Sequence, residues 1–109
     1  IDDKAVWVLA YASERLLADK ELILKAAAVD GQVLYYASKE LRDDKDVVLA
    51  AVKNKWLIVK YASKRLRGDK DVAMAVITQS TKSSIYLTDE ILKDPDIDAI
   101  LNPPEETQQ

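Results

Sequence analysis

The 109-residue sequence predicts an all-α fold, a short α-solenoid of about three and a half helix-pair repeats of 25 residues. Three observations carry this. Tyr11-Ala12-Ser13 recurs at steps of 25 as Tyr36-Ala37-Ser38 and Tyr61-Ala62-Ser63, and the same step relates Leu16, Leu41 and Leu66. Within each copy the apolar positions fall at i, i+3, i+4 and i+8, one stripe of a 3.6-residue period. An aspartate stands before each second apolar run, in the pairs Asp19-Lys20, Asp44-Lys45 and Asp69-Lys70, where its carboxylate can accept hydrogen bonds from the free N–H groups of a helix start.

Taken in order, the first unit (about 5–29) puts Val8, Tyr11, Ala12 and Leu16 on its first stripe and Asp19 at the start of its second helix. The second (30–54) repeats this with Val33, Tyr36, Ala37, Leu41 and Asp44, and the third (55–79) with Ile58, Tyr61, Ala62, Leu66 and Asp69. The runs 47–52 and 72–77 are apolar on every side, so these helices are expected to lie buried between neighbours. Residues 80–101 form a degenerate fourth copy, in which Tyr86, Thr88, Ile91, Asp94 and Ile97 keep the register. Ser83 and Ser84 there replace apolar residues and Pro95 replaces lysine, as in a terminating cap. Residues 1–101 thus form a single helical-repeat domain, and 102–109, with Pro103-Pro104, are expected to be a flexible tail.

Local details are less uniform. The serine of Tyr-Ala-Ser either caps a short turn carrying Leu41 and its equivalents or sits in mid-helix and bonds back to the preceding turn. Asp30-Gly31 and Lys53-Asn54 suit left-handed C-terminal caps, and Gly68 loosens the turn before Asp69. Two tight connections per unit leave helices of about 9–11 residues, marginal in isolation, so stability is expected to come from stacking.

Composition excludes most chemistry. With no cysteine and no histidine there is no disulfide, no thiolate zinc site and no common general base, and two glycines are too few for a phosphate-cradling loop. A serine nucleophile requires an activating base, so no enzymatic activity, catalytic residue or cofactor is expected. Asp94-Pro95-Asp96-Ile97-Asp98 with Glu105 has acidic spacing like a calcium loop, but Ala99 stands where that loop needs glycine, and the repeat explains Asp94 as a cap; no metal is expected. A net charge of −3 and a pI of 4.9 disfavour nucleic acid. Apolar runs are too short to cross a bilayer, so a soluble protein without membrane partners is expected. The chain opens at Ile1 rather than methionine, which implies trimming and leaves any N-terminal signal out of view.

Charge is unevenly placed along the chain. Residues 53–70 carry seven bases against one acid, net +6, whereas 1–52 carry net −3 and 71–109 net −6. This basic island either balances its acidic neighbours as a solvated face or docks an acidic surface. Tyr11, Tyr36, Tyr61 and Tyr86 repeat and are scaffold. Trp7, Trp56 and Tyr35 do not repeat, and either cover open ends of the core or anchor a partner. The candidate partner-binding residues are Tyr35, Trp56, Lys60, Lys64, Arg65 and Arg67.

The stretch from Val33 through Tyr36-Ala37-Ser38-Lys39-Glu40-Leu41 to Asp44-Lys45-Asp46 and Val52 resembles the tandem repeat of domain-of-unknown-function family 4116, over about residues 5–101. That resemblance implies an interaction scaffold without catalytic residues, of a kind found among secreted bacterial effectors, notably of Legionella, and in some protists and algae. The short format is similar to effectors that inhibit ubiquitin-directed transglutaminase and deamidase enzymes. It implies a protein partner, a bacterial effector enzyme whose active cleft the chain occludes, and a location in the bacterial cytoplasm and then the host cytosol. The alternative is a structural module that self-associates, for instance as a homodimer.

Overall fold

The structure, a computed structural model, describes residues 14–103. Its elements are helices α1 (Glu14–Leu17), α2 (Lys20–Val29), α3 (Val33–Tyr36), α4 (Lys39–Arg42) and α5 (Lys45–Asn54), then a 3₁₀ helix (Trp56–Tyr61). After these come α6 (Lys64–Arg67), α7 (Lys70–Ile77), a second 3₁₀ helix (Thr81–Tyr86), α8 (Asp89–Leu92) and α9 (Pro95–Leu101). Among the described residues there is no strand. Trp7, Val8, Tyr11 and Ala12 of the first unit, and Glu105 of the acidic run, lie outside the described residues.

The all-α repeat is present, and each unit has three parts rather than two. A long helix is followed by one α turn or a six-residue 3₁₀ helix and then by a separate one-turn helix. The expected continuous helix from Val33 to Leu41 is interrupted at Ala37, whose backbone is extended (φ −67°, ψ 158°). The cause is the serine that follows. Ser38 is extended too, and its hydroxyl accepts the Leu41 N–H at 3.2 Å, starting a new helix. Ser63 accepts from Leu66 N–H at 3.3 Å and Thr88 from Ile91 N–H at 3.4 Å, so the capping role applies in every described copy.

The same serine stitches units together. The Ser38 N–H donates to the Leu17 carbonyl at 3.0 Å, the Ser63 N–H to that of Arg42 at 3.0 Å, and the Thr88 N–H to that of Arg67 at 3.3 Å. Each bond satisfies a carbonyl that a one-turn helix leaves free at its end.

The long helices stack in order, α5 against both α2 and α7, and α7 against α9. Asp19, Asp44, Asp69 and Asp94 cap them as expected; Asp44, for example, accepts from the Asp46 and Val47 N–H groups at 3.0 and 3.3 Å. The core is the row of faces between them: Ile23, Ala26 and Ala27; Val47, Val48, Ala51 and Val52; Val72, Ala73, Val76 and Ile77; and Ile97. Complete burial of the long helices does not occur. Leu49, Ala50, Met74 and Ala75 are only half-buried, because a single row of units covers each helix on two flanks and leaves the third open. Leu41 and Leu66 are buried, while Leu16 is exposed.

The expected left-handed caps are absent. Asp30 and Lys55, the C-caps of α2 and α5, are extended, with φ near −148° and −143°, and Asn54 is the last helical residue of α5. Glycine is required at position 31 for another reason: a Cβ there would stand 2.3 Å from the Ala51 carbonyl oxygen. This close approach lets the Gly31 N–H donate to Asn54 Oδ1 at 2.8 Å while Asn54 Nδ2 donates to the Val29 carbonyl at 3.3 Å. One unit on, Gln79 Nε2 donates to the Val52 carbonyl at 2.8 Å.

Candidate interaction surface

The polar side chains sort into those that hold units together and those that face outward. The first group forms a ladder along the starts of the long helices. Lys20 Nζ lies 3.0 Å from Asp44 and 3.2 Å from Asp46, Lys45 Nζ lies 3.2 Å from Asp69 and 2.6 Å from Asp71, and Lys70 Nζ lies 3.5 Å from Asp94 and 2.5 Å from Asp96. Each ammonium therefore clamps the cap and second helical residue of the next unit, where carboxylates already favour the positive end of the helix dipole. Pro95 stands where a further lysine would continue the ladder and ends it. The Asp-Lys pairs were legible as caps, but their coupling to Asp46, Asp71 and Asp96 was not, because it links residues 26 apart.

These contacts shift the groups involved. The Asp44 hydrogen bond, then that of Asp46, raises Lys20 above its usual 10.5; Asp71 and then Asp69 do the same for Lys45, and Asp96 most strongly for Lys70. Partial burial pushes the Asp44 and Asp69 carboxyls up, but their lysines and the backbone N–H groups they cap outweigh it and leave both below 3.8. Asp30 behaves alike, with the Gln32 N–H and Lys55 overcoming burial.

The basic island is partly committed to this scaffold. Lys55 Nζ pairs with Asp30 at 3.0 Å. Arg65 Nε donates to Asp43 Oδ1 at 2.9 Å and Nη2 to the Asp43 carbonyl at 2.6 Å, while the Ser63 hydroxyl donates to the same Oδ1 at 2.5 Å. Ser63 first and Arg65 second hold the Asp43 carboxyl below its ordinary range. Arg67 is half-buried, its Nε donating to the Ala62 carbonyl at 3.3 Å and Nη1 to that of Tyr86 at 3.5 Å. Trp56 is half-buried against the core.

Tyr35, Lys60 and Lys64 are exposed. Tyr35 packs edge-on against Tyr36 (centroids 5.0 Å apart) and Tyr61 (4.9 Å), and Lys60 Nζ lies 5.2 Å from the Tyr61 ring centre. The structure therefore joins Tyr35 and Lys60 around Tyr61, a contact between units, and places Arg65 and Arg67 in a different part of the surface where they hold neighbouring units. Two exposed apolar residues of the 3₁₀ helices escaped sequence reasoning: Leu57, 43% exposed, and Ile85, 76% exposed. Ile85 was detectable as the residue 25 positions after Lys60 and 50 after Tyr35, within a copy otherwise read as a cap.

Shallow grooves lie between successive one-turn helices. One of about 440 Å³ is lined by Lys64, Arg67, Thr88, Asp89 and Glu90. Among the described residues no three Asp or Glu side chains converge as metal ligands, and Asp94 and Asp96 are held as helix cap and ladder rung. No helix of the described residues is long and apolar enough to cross a membrane.

Stacked three-part units with an ion-pair ladder define a tandem α-helical repeat protein. The chain belongs to a family described as a domain of unknown function (DUF4116), whose model matches residues 6–42, 19–67 and 44–93. No curated protein and no solved structure matches it.

Proposed function

We propose that this chain is a non-enzymatic protein-binding module that inhibits a partner enzyme by covering its active cleft. The observation supporting this reading is the division of polar side chains: the Asp-Lys pairs and the capping serines are committed to holding the scaffold, whereas Tyr35, Lys60 and Lys64 face outward. A surface of aromatic and cationic side chains on a rigid scaffold is suited to recognising another protein.

The short format resembles a small Legionella effector that inhibits the ubiquitin-directed effectors MavC and MvcA, which makes a ubiquitin-directed transglutaminase or deamidase the first partner to test, with action in the host cytosol. The test adds the purified chain to such an enzyme and follows ubiquitin modification. A stoichiometric complex with loss of activity is expected, and unchanged activity with excess chain overturns the reading. The second reading, a self-associating scaffold, is favoured by exposed Leu57 and Ile85; light scattering that shows a mass rising with concentration would support it.

A further inference from the structure

The three segments α3, Trp56–Tyr61 and Thr81–Tyr86 lie side by side, the middle one touching both others. The chain around them holds no carboxylate: residues 31–39, 54–65 and 79–88 contain no Asp or Glu, but do contain Lys39, Lys55, Lys60, Lys64, Arg65 and Lys82. Lys55 and Arg65 are paired, with Asp30 and Asp43, whereas Lys39, Lys60, Lys64 and Lys82 make no ion pair among the described residues. Tyr35, Lys60 and Ile85 occupy the same register position in three successive units, and all three are exposed. Along the stack the order is therefore aromatic, cation, aliphatic.

We infer that this ridge binds a helix of another protein that crosses the units and presents an apolar, an acidic and an apolar side chain in turn. The proposal rests on the protein-binding reading and supplies its partner chemistry. Packed units stand about 8–10 Å apart. At about 1.5 Å per residue, seven residues span roughly 10.5 Å, which a helix inclined across the units brings to that spacing, and i, i+7 and i+14 stay close to one face of a helix. An extended strand needs about three residues per step at roughly 3.3 Å each, and an odd step turns the middle side chain to the opposite face. The acidic residue meets Lys60, whose ammonium is held beside Tyr61, and the outer two meet Tyr35 and Ile85.

The experiment titrates the ¹⁵N-labelled full chain with a helical peptide of about 20 residues bearing Leu at i and i+14 and Glu at i+7. Saturable shifts centred on Tyr35, Lys60 and Ile85 are expected, weakened at least tenfold in K60E. Restoration of K60E binding by a peptide with Lys at i+7 would fix the pairing. Absence of saturable shifts, shifts centred on Arg65 and Arg67, or K60E binding as tight as wild type would overturn the proposal. So would stronger engagement by a control peptide with its apolar residues at i, i+3 and i+6. Phosphatidylglycerol vesicles that shift the same signals while the peptide does not would reassign the ridge to a membrane. The titration contains no enzyme, so its failure is separable from failure of inhibition; inhibition retained by K60E alongside a silent peptide refutes the ridge alone.

Discussion

Ser83 occupies the core position that Val33 and Ile58 fill in earlier units, is fully buried, and its hydroxyl has no hydrogen-bond partner. A buried unsatisfied hydroxyl costs about 1–3 kcal/mol, so Ser83→Ala is expected to stabilise the protein by about 1 kcal/mol, read as a raised urea midpoint. The two glycines predict opposite severities. At Gly31 an added methyl meets the Ala51 backbone oxygen at 2.3 Å, which cannot move without parting two helices, so Gly31→Ala should cost roughly 1–3 kcal/mol as overpacking does. At Gly68 the nearest atoms are the hydroxyl (2.9 Å) and methyl (3.3 Å) of Thr88, the side chain that caps α8, so Gly68→Ala should cost about 1 kcal/mol through that cap, less than at Gly31 in the same denaturation assay. The conservative-looking substitution is thus the damaging one where backbone meets backbone.

At the scale of elements, the caps and the ladder share atoms. Asp69 accepts from the Asp71 and Val72 N–H groups and also pairs with Lys45. Asparagine caps about as well as aspartate but carries no charge, so Asp69→Ala should cost about 1 kcal/mol more than Asp69→Asn in thermal or chemical unfolding. Equal losses would assign the whole effect to the ion pair. The pH dependence follows from directions. Asp30, Asp43, Asp44 and Asp69 sit below 3.8 when folded, so their contribution is complete above that value and is lost as pH falls through the lower folded values. Lys20, Lys45 and Lys70 sit above 10.5, so their contribution is complete below it and is lost as pH rises through the higher folded values. Denaturation across pH should therefore show a plateau bounded on both sides. The rungs are solvent-exposed, so each contributes little and salt should flatten the plateau.

At the scale of the molecule, the long helices among the described residues pack against their neighbours in the stack and the short elements beside them, so stability is expected to be a sum of unit and interface terms. The middle helices α5 and α7 are covered on two flanks, whereas α9 buries Ile97 and leaves Asp98 and Ala99 exposed. Hydrogen exchange should be slowest in α5 and α7 and faster in α9, and uniform protection along the stack would contradict nearest-neighbour coupling. The outward face divides likewise: Lys55, Arg65 and Lys70 sit where carboxylates from neighbouring units reach them, whereas Lys60 and Lys64 make no ion pair among the described residues. Charge that looked like one basic island in sequence separates into structural and accessible groups once units are stacked.

By itself the sequence determined the repeat, the helical class and the four aspartate caps, because these depend on spacing within one unit and on the 25-residue identity between units. It left the Tyr-Ala-Ser serine ambiguous, since a cap and a mid-helix serine use the same residue, and extended backbone at Ala37 decided between them. Only the tertiary structure decided that Lys45 reaches Asp71, that Arg65 is occupied by Asp43 while Lys60 is not, and that Tyr35 closes on Tyr61. Those pairings join residues about one repeat apart, and no local preference specifies them: they exist because stacking brings the same register of successive units within reach.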